Sequence, residues 1–91
     1  MEEHKKYRII SFKLIGDFVI EIHFIDGKSQ TIDFNEVKLK GWWEELNDLA
    51  YFNKVRISEV KHLEWPHGQD YNPEYLYYWE KYKSYFQKNS Y

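Results

Sequence analysis

With no cysteine in the chain, its four histidines and fifteen carboxylates are the first candidates for acid–base chemistry. Glu21, His23 and Asp33 fall on one parity of an alternating segment. A strand would present them on a single outward face, where a carboxylate–imidazole set can move protons. A second group, His67 and Asp70, lies just ahead of a helix start, and helix N-termini attract anions. His4, His23, His62 and His67 include no pair at His-x-x-x-His spacing, so zinc would need tertiary convergence. Without cysteine there are no disulfides and no thiolate metal ligands. The sequence also has no glycine-rich phosphate loop and no Gly-x-Ser-x-Gly. Carboxylates and histidines on an outward strand face are most often plain solvated surface. No catalytic residue, metal or cofactor is therefore assigned, and a small enzyme built on an outward histidine–carboxylate cluster is kept as an alternative.

The elements that must position these residues are constrained by composition. Ninety-one residues make one small domain, 1–91, with no room for a second core. Aromatic residues are 21% of the chain, from nine Tyr, six Phe and four Trp, so rings must form much of the core. Each ring can bury about 150–250 Å². Thirteen basic and fifteen acidic residues leave a net charge of −2, which gives no global footprint for nucleic acid or an anionic membrane. The opening "MEEHKKYRII" lacks the apolar core and cleavage site of a signal peptide. No apolar run approaches the ~20 residues that span a bilayer. A soluble, cytoplasmic protein with no membrane association is expected.

From Arg8 to Phe34 the even positions Ile10, Phe12, Leu14, Phe18, Ile20, Ile22, Phe24, Ile32 and Phe34 are apolar, while the odd ones are mixed. That is the pattern of strands with one buried face. Directly paired residues share a face, so parity selects loop length. A three-residue loop, Ile25 to Gly27, pairs Ile20 with Ile32 and Phe18 with Phe34, with Gly27 as the left-handed residue. An odd loop at Ile15–Asp17 would pair Ile10 with Ile22 and Phe12 with Ile20. A three-stranded antiparallel meander follows, with even-numbered side chains inside. Val37, Leu39, Trp42, Trp43, Leu46, Leu49 and Phe52 then recur at helical spacings. They predict a short helix packed across the meander, starting near Gly41. Val55–Ile57 and His62–Trp65 read as a β-hairpin turning near Ser58–Lys61.

Trp65 must be extended because Pro66 follows it. Gly68 offers a left-handed turn position. Asn72 is a good N-cap, Pro73 suits the first helical position and Glu74 complements the helix dipole. A C-terminal helix from Pro73 to about Gln87 is expected. On its wheel Tyr75, Tyr78, Trp79, Tyr82, Tyr85 and Phe86 span an arc of about 120°, with Leu76 and Tyr77 outside it. The fold class is α+β: meander, short helix, β-hairpin, and a C-terminal helix packed on one sheet face.

The order "HFIDG…TIDF…LKGWWEELND…FNKV…LEWPHGQDYNPEYLY" resembles the small bacterial domain-of-unknown-function family 2442. The matching positions are Phe24, Asp26 and Gly27; Ile32, Asp33 and Phe34; Gly41, Trp43 and Leu46; Phe52 and Val55. In the closing motif Trp65, Pro66, Gly68, Asp70, Pro73, Leu76 and Tyr77 match. The resemblance covers residues 8–77; Tyr71 replaces the usual aliphatic, and Tyr78 to Tyr91 extends past the family's typical end. It implies a small α+β fold with no established activity, and a pairing with another small protein reminiscent of toxin–antitoxin systems.

Two surfaces therefore stand out. Trp65, Pro66, Gly68, Asp70, Asn72 and Pro73 form a turn in which each residue type has a structural job. A ligand or peptide pocket around Trp65, His67 and Asp70 is the competing interpretation. The stripe at Tyr78, Trp79, Tyr82 and Tyr85 either docks the last helix or, if Leu76 and Tyr77 enter the core, anchors a protein partner or a second copy. Lys81, Lys83 and Lys88 beside it keep single-stranded nucleic-acid binding as an alternative. The leading expectation is a non-enzymatic interaction domain with a regulatory or antitoxin-like role.

Overall fold

The computed structural model describes residues 7–37 and 39–85. His4, Phe86, Gln87 and Lys88, which figure in the sequence-based expectations, lie outside them. Strands β1 (Ile9–Gly16), β2 (Val19–Phe24) and β3 (Ser29–Asp33) form an antiparallel sheet in that order. The β2–β3 register is the one parity predicts, with Ile20 opposite Ile32. Phe24 N donates to Lys28 O at 2.8 Å, closing the three-residue loop, and Gly27 has φ 97°. Phe34 N donates to Phe18 O at 2.8 Å, although Phe18 sits in the preceding turn with φ 64°.

The β1–β2 pairing departs from expectation. Phe12 lies opposite Ile22 and Leu14 opposite Ile20, with a tight turn at Asp17-Phe18 instead of a loop at Ile15–Asp17. A bulge between Ile9 and Ser11 supplies one extra residue and reverses parity there. Ile9 is therefore fully buried while Ile10 is 57% exposed. Even-numbered burial holds for Ile20, Ile22, Phe24, Ile32 and Phe34 and fails at Ile10 and at Leu14, which is 38% exposed on the edge strand.

The expected helix across the meander is two short pieces, a 3-10 helix at Gly41–Asn47 and α1 at Leu49–Phe52. Asp48 caps α1 by accepting from Ala50 N at 3.1 Å. With three residues per turn, Trp43 and Leu46 share one face, and Trp42 and Glu45 share another. Leu46 is buried, whereas Trp42 is 62% and Trp43 36% exposed, so neither indole is the core residue that a 3.6-residue period predicts.

The predicted hairpin gains a third strand: β4 (Arg56–Ile57), β5 (Leu63–Glu64) and β6 (Asp70–Tyr71), antiparallel and in that order. Asn72 then caps α2 (Pro73–Tyr77) by accepting from Glu74 N at 2.8 Å. The expected continuous helix breaks at Tyr78 (φ −104°, ψ 41°), after which α3 (Trp79–Tyr82) and a 3-10 turn at Lys83–Tyr85 follow. At the break Gln30 Nε2 donates to the Tyr77 carbonyl at 3.1 Å, which ties the end of α2 to β3. The chain is α+β, and its core is aromatic. Phe34 meets Phe52, Trp65 and Tyr71 edge-on with ring centroids 5.2, 6.3 and 5.4 Å away. Among the described residues no helix is long and apolar enough to cross a membrane.

Candidate functional site

The Trp65–Tyr71 turn is closed by its own backbone: Gly68 N donates to Trp65 O and Trp65 N to Gln69 O, both at 2.9 Å. Gly68 has φ 98°, a conformation that L side chains rarely adopt. Trp65 is fully buried and its Nε1 donates to the Phe52 carbonyl at 2.8 Å. Its indole thus points into the core and joins the turn to the end of α1. Pro66 and His67 lie on the surface.

The polar hub beneath this turn is Gln69, which is 4% exposed. Its Oε1 accepts from Tyr51 OH at 2.7 Å, and its Nε2 donates to Trp42 O at 3.2 Å and to Glu45 Oε1 at 3.0 Å. Tyr51 OH accepts in turn from His67 N at 2.8 Å. His67 Nδ1 lies 2.8 Å from the Glu45 carboxylate. The hydrogen bonds from His67 and then Gln69 hold the Glu45 carboxyl below the usual carboxylate range. His67 is thus paired with Glu45 rather than Asp70, and the group has the satisfied geometry of a strut between the 3-10 helix, α1 and the turn. Glu45, Tyr51 and Gln69 carry no spacing signal, because a surface carboxylate, a helix tyrosine and a turn glutamine meet only through tertiary packing.

Asp70 faces the other way, toward His62, whose Nδ1 is 3.7 Å from Asp70 Oδ2. That is too long for a hydrogen bond, and His62 Nδ1 is buried without a partner. Asp70 also lines an open groove of about 570 Å³ on the small sheet with Arg56, Ser58, Val60 and Glu64. Arg56 is already bonded across that sheet to Glu64 at 2.8 Å. The Asp70 carbonyl accepts from Trp43 Nε1 at 3.3 Å, which holds one of the two exposed indoles against the turn.

The outward face of the meander does not assemble its three candidates. His23 Nε2 is 3.2 Å from Glu21 Oε1, as expected for neighbours on one face. Asp33 is spent on the local backbone, accepting from Asn35 N at 2.9 Å. Among the described residues no three His, Cys, Asp or Glu side chains gather as a metal ion would require.

The Asp26-Gly27 hairpin and the end of α2 meet at Tyr77. Its hydroxyl donates to Asp26 Oδ2 at 2.5 Å, its ring packs edge-on against Phe24 at 5.0 Å, and Lys28 Nζ lies 4.4 Å over its face. The Tyr77 hydroxyl, followed by Lys28 N–H, holds the Asp26 carboxyl below its ordinary value. The Asp-Gly hairpin and the Leu76-Tyr77 pair therefore clasp each other, and Leu76 is fully buried beside them.

Beyond the clasp the aromatic residues divide. Trp79 is 3% exposed and belongs to the core, while Tyr78 stands at the helix break and is half-buried. Tyr75, Tyr82 and Tyr85 form an outer row, with ring centroids 4.9 Å apart for Tyr75–Tyr82 and 6.0 Å for Tyr82–Tyr85. Tyr85 is 75% exposed. The predicted stripe is thus split: Trp79 docks inward, Tyr82 is half-buried, and Tyr75 and Tyr85 on either side of it are exposed.

A meander, a second sheet of two-residue strands and short helical segments closing on one aromatic core define a small α+β domain. Tyr77 locks the Asp26 hairpin to the end of α2, and Trp65 locks its turn to α1. The chain belongs to the family described as "Protein of unknown function (DUF2442)", whose model matches residues 9–82. The match continues past Tyr77, through α3. Neither the curated proteins nor the solved structures provide a match.

Proposed function

We propose that this protein is a non-enzymatic interaction domain that engages a protein partner through the outer aromatic row of its C-terminal segment. The observation that carries this is the division of the last helical segments. Leu76 and Trp79 are buried, while Tyr75, Tyr82 and Tyr85 stack on one another outside the core. Tyrosines held by a rigid neighbour present large area at low entropic cost, which is what interface anchors require. The histidine–carboxylate groups of the sheet and the turn are absorbed by local pairing, so chemistry has less support than binding. A regulatory or antitoxin-like role is the finer form of this proposal, and it rests on the family resemblance alone.

One contact speaks for single-stranded nucleic acid instead: Lys81 Nζ lies 5.1 Å from the Tyr82 ring. Against it, Lys83 is engaged with Glu80 at 3.2 Å and the chain carries net charge −2. The test is affinity capture from the native host with wild type and the Tyr75→Ser/Tyr82→Ser/Tyr85→Ser variant side by side. The expected result is a specific protein held by wild type and lost by the variant. Equal recovery by both, or recovery by neither, overturns the proposal.

A further inference from the structure

The two edges of the meander are treated differently. The β3 edge is short, polar and tied to α2 through the Gln30 contact with the Tyr77 carbonyl. Among the described residues the β1 edge is covered only at its start, where Ile9 N donates to Lys61 O at 3.3 Å. Beyond the bulge no described segment pairs with it, and Leu14 and Ile15 are 38% and 47% exposed.

The hydrogen-bonding direction along this edge follows from the ladder. Even-numbered residues of β2 bond toward β3, because Phe24 N donates to Lys28 O and Phe34 N to Phe18 O. In an antiparallel ladder the direction alternates, so Glu21 and His23 bond toward β1, where Lys13 and Ser11 face them. Phe12 and Leu14 therefore aim their N–H and C=O groups out of the sheet edge. Their side chains lie on the inner face, beside fully buried Ile22 and Ile20.

We propose that this edge pairs with the same edge of a second copy, antiparallel about a two-fold axis at Lys13, joining two meanders into one six-stranded sheet. Only self-pairing needs no second sequence to match. About that axis Phe12 meets the second copy's Leu14 and Leu14 meets its Phe12, and these are the residues whose backbone groups point outward. The apolar side chains land on one face and extend the inner layer that stops short at β1. A closed isologous contact of this kind ends at a dimer. It has two costs: Lys13 faces its own copy, with Glu21 opposite each lysine within its own sheet, and a second irregularity between Leu14 and Gly16 confines the regular edge to residues 11–14. A strand pair of this length falls in the small, reversible class of interfaces. This proposal is independent of the aromatic-row surface.

The test is sedimentation equilibrium of the full chain across a wide concentration range, paired with a register-specific cross-link. Directly opposed residues at a non-hydrogen-bonded position have Cα atoms about 4.5 Å apart, within disulfide reach. The chain has no cysteine of its own, so Lys13→Cys gives a clean background. With oxidised glutathione, Lys13→Cys is expected to form a covalent dimer at least tenfold faster than Glu36→Cys, which is exposed and away from this edge. Leu14→Lys is expected to abolish the doubling of mass while leaving the circular dichroism spectrum unchanged. A monomer at every concentration overturns the proposal and leaves the edge for a strand of another protein. A dimer insensitive to Leu14→Lys, or equal cross-linking of the two cysteine variants, overturns it as well.

Discussion

Replacing Trp65 by phenylalanine tests whether the tryptophan–proline turn is architecture. Trp65 is fully buried, touches Phe34, Phe52 and Tyr71, and donates its indole N–H to Phe52 O at 2.8 Å. Trp65→Phe keeps an aromatic ring there but removes the donor. The Phe52 carbonyl retains Val55 N at 3.2 Å, so one of two bonds is lost and no acceptor is orphaned. That loss costs about 1–1.5 kcal/mol, and the unfilled volume of the missing ring adds about 1–1.5 kcal/mol. The sum, about 2–3 kcal/mol, compares with a total stability of roughly 5–14 kcal/mol for a domain of this length. The variant should therefore fold, with its melting temperature lowered by about 10–20 °C. Trp65→Ala removes the whole ring and should cost about 4–6 kcal/mol, which brings the domain near its limit. Urea titration followed by far-UV circular dichroism measures both values. A Trp65→Phe variant within about 0.5 kcal/mol of wild type would refute the reasoning and return Trp65 to the list of ligand contacts.

Asn72→Ala removes the cap of α2 and should cost about 1 kcal/mol, while Asn72→Asp should be close to neutral at pH 7; thermal melts compare them. Gly68→Ala must hold an L side chain at φ 98° and should cost about 1–2 kcal/mol by urea titration. Trp42→Ser, at a largely exposed indole, should leave stability within about 0.5 kcal/mol of wild type. The carboxyls of Asp26 and Glu45 are both depressed in the folded chain. Their contributions are thus full above the unfolded values and fade as pH falls through the lower folded ones. Stability should decline below about pH 4, the range where free carboxyls titrate. Tyr77→Phe should lose less on acidification than wild type, and unfolding curves at pH 7 and pH 3 check this.

How far the fold is legible in the sequence depends on whether each feature leaves a period. The β2–β3 register is legible because Ile20, Ile32 and Gly27 together permit only one loop length. The β1 bulge is not, since one extra residue at Ile10 leaves the alternation of residue types undisturbed and changes only where the side chain points. Trp42 and Trp43 mislead because their apolar spacing implies 3.6 residues per turn where the chain takes three. The break at Tyr78 has no proline or glycine to announce it. Gln30, forty-seven positions earlier in the chain, takes the Tyr77 carbonyl at the break. The strand at Asp70–Tyr71 is two residues long and has no period to detect. The Trp65–Pro73 turn is legible residue by residue, through Pro66, Gly68 and Asn72. The strut that braces it, from Glu45 through Gln69 to Tyr51, exists only in three dimensions.

The placement of the four tryptophans makes the molecule its own optical reporter. Trp65 and Trp79 are buried, whereas Trp42 and Trp43 are exposed beside the turn. A water-soluble quencher should therefore divide the intrinsic fluorescence into an accessible and a shielded fraction. The shielded pair follows unfolding, and the accessible pair registers any molecule that settles on the turn face. Both events can be read from an unlabelled chain in one emission spectrum.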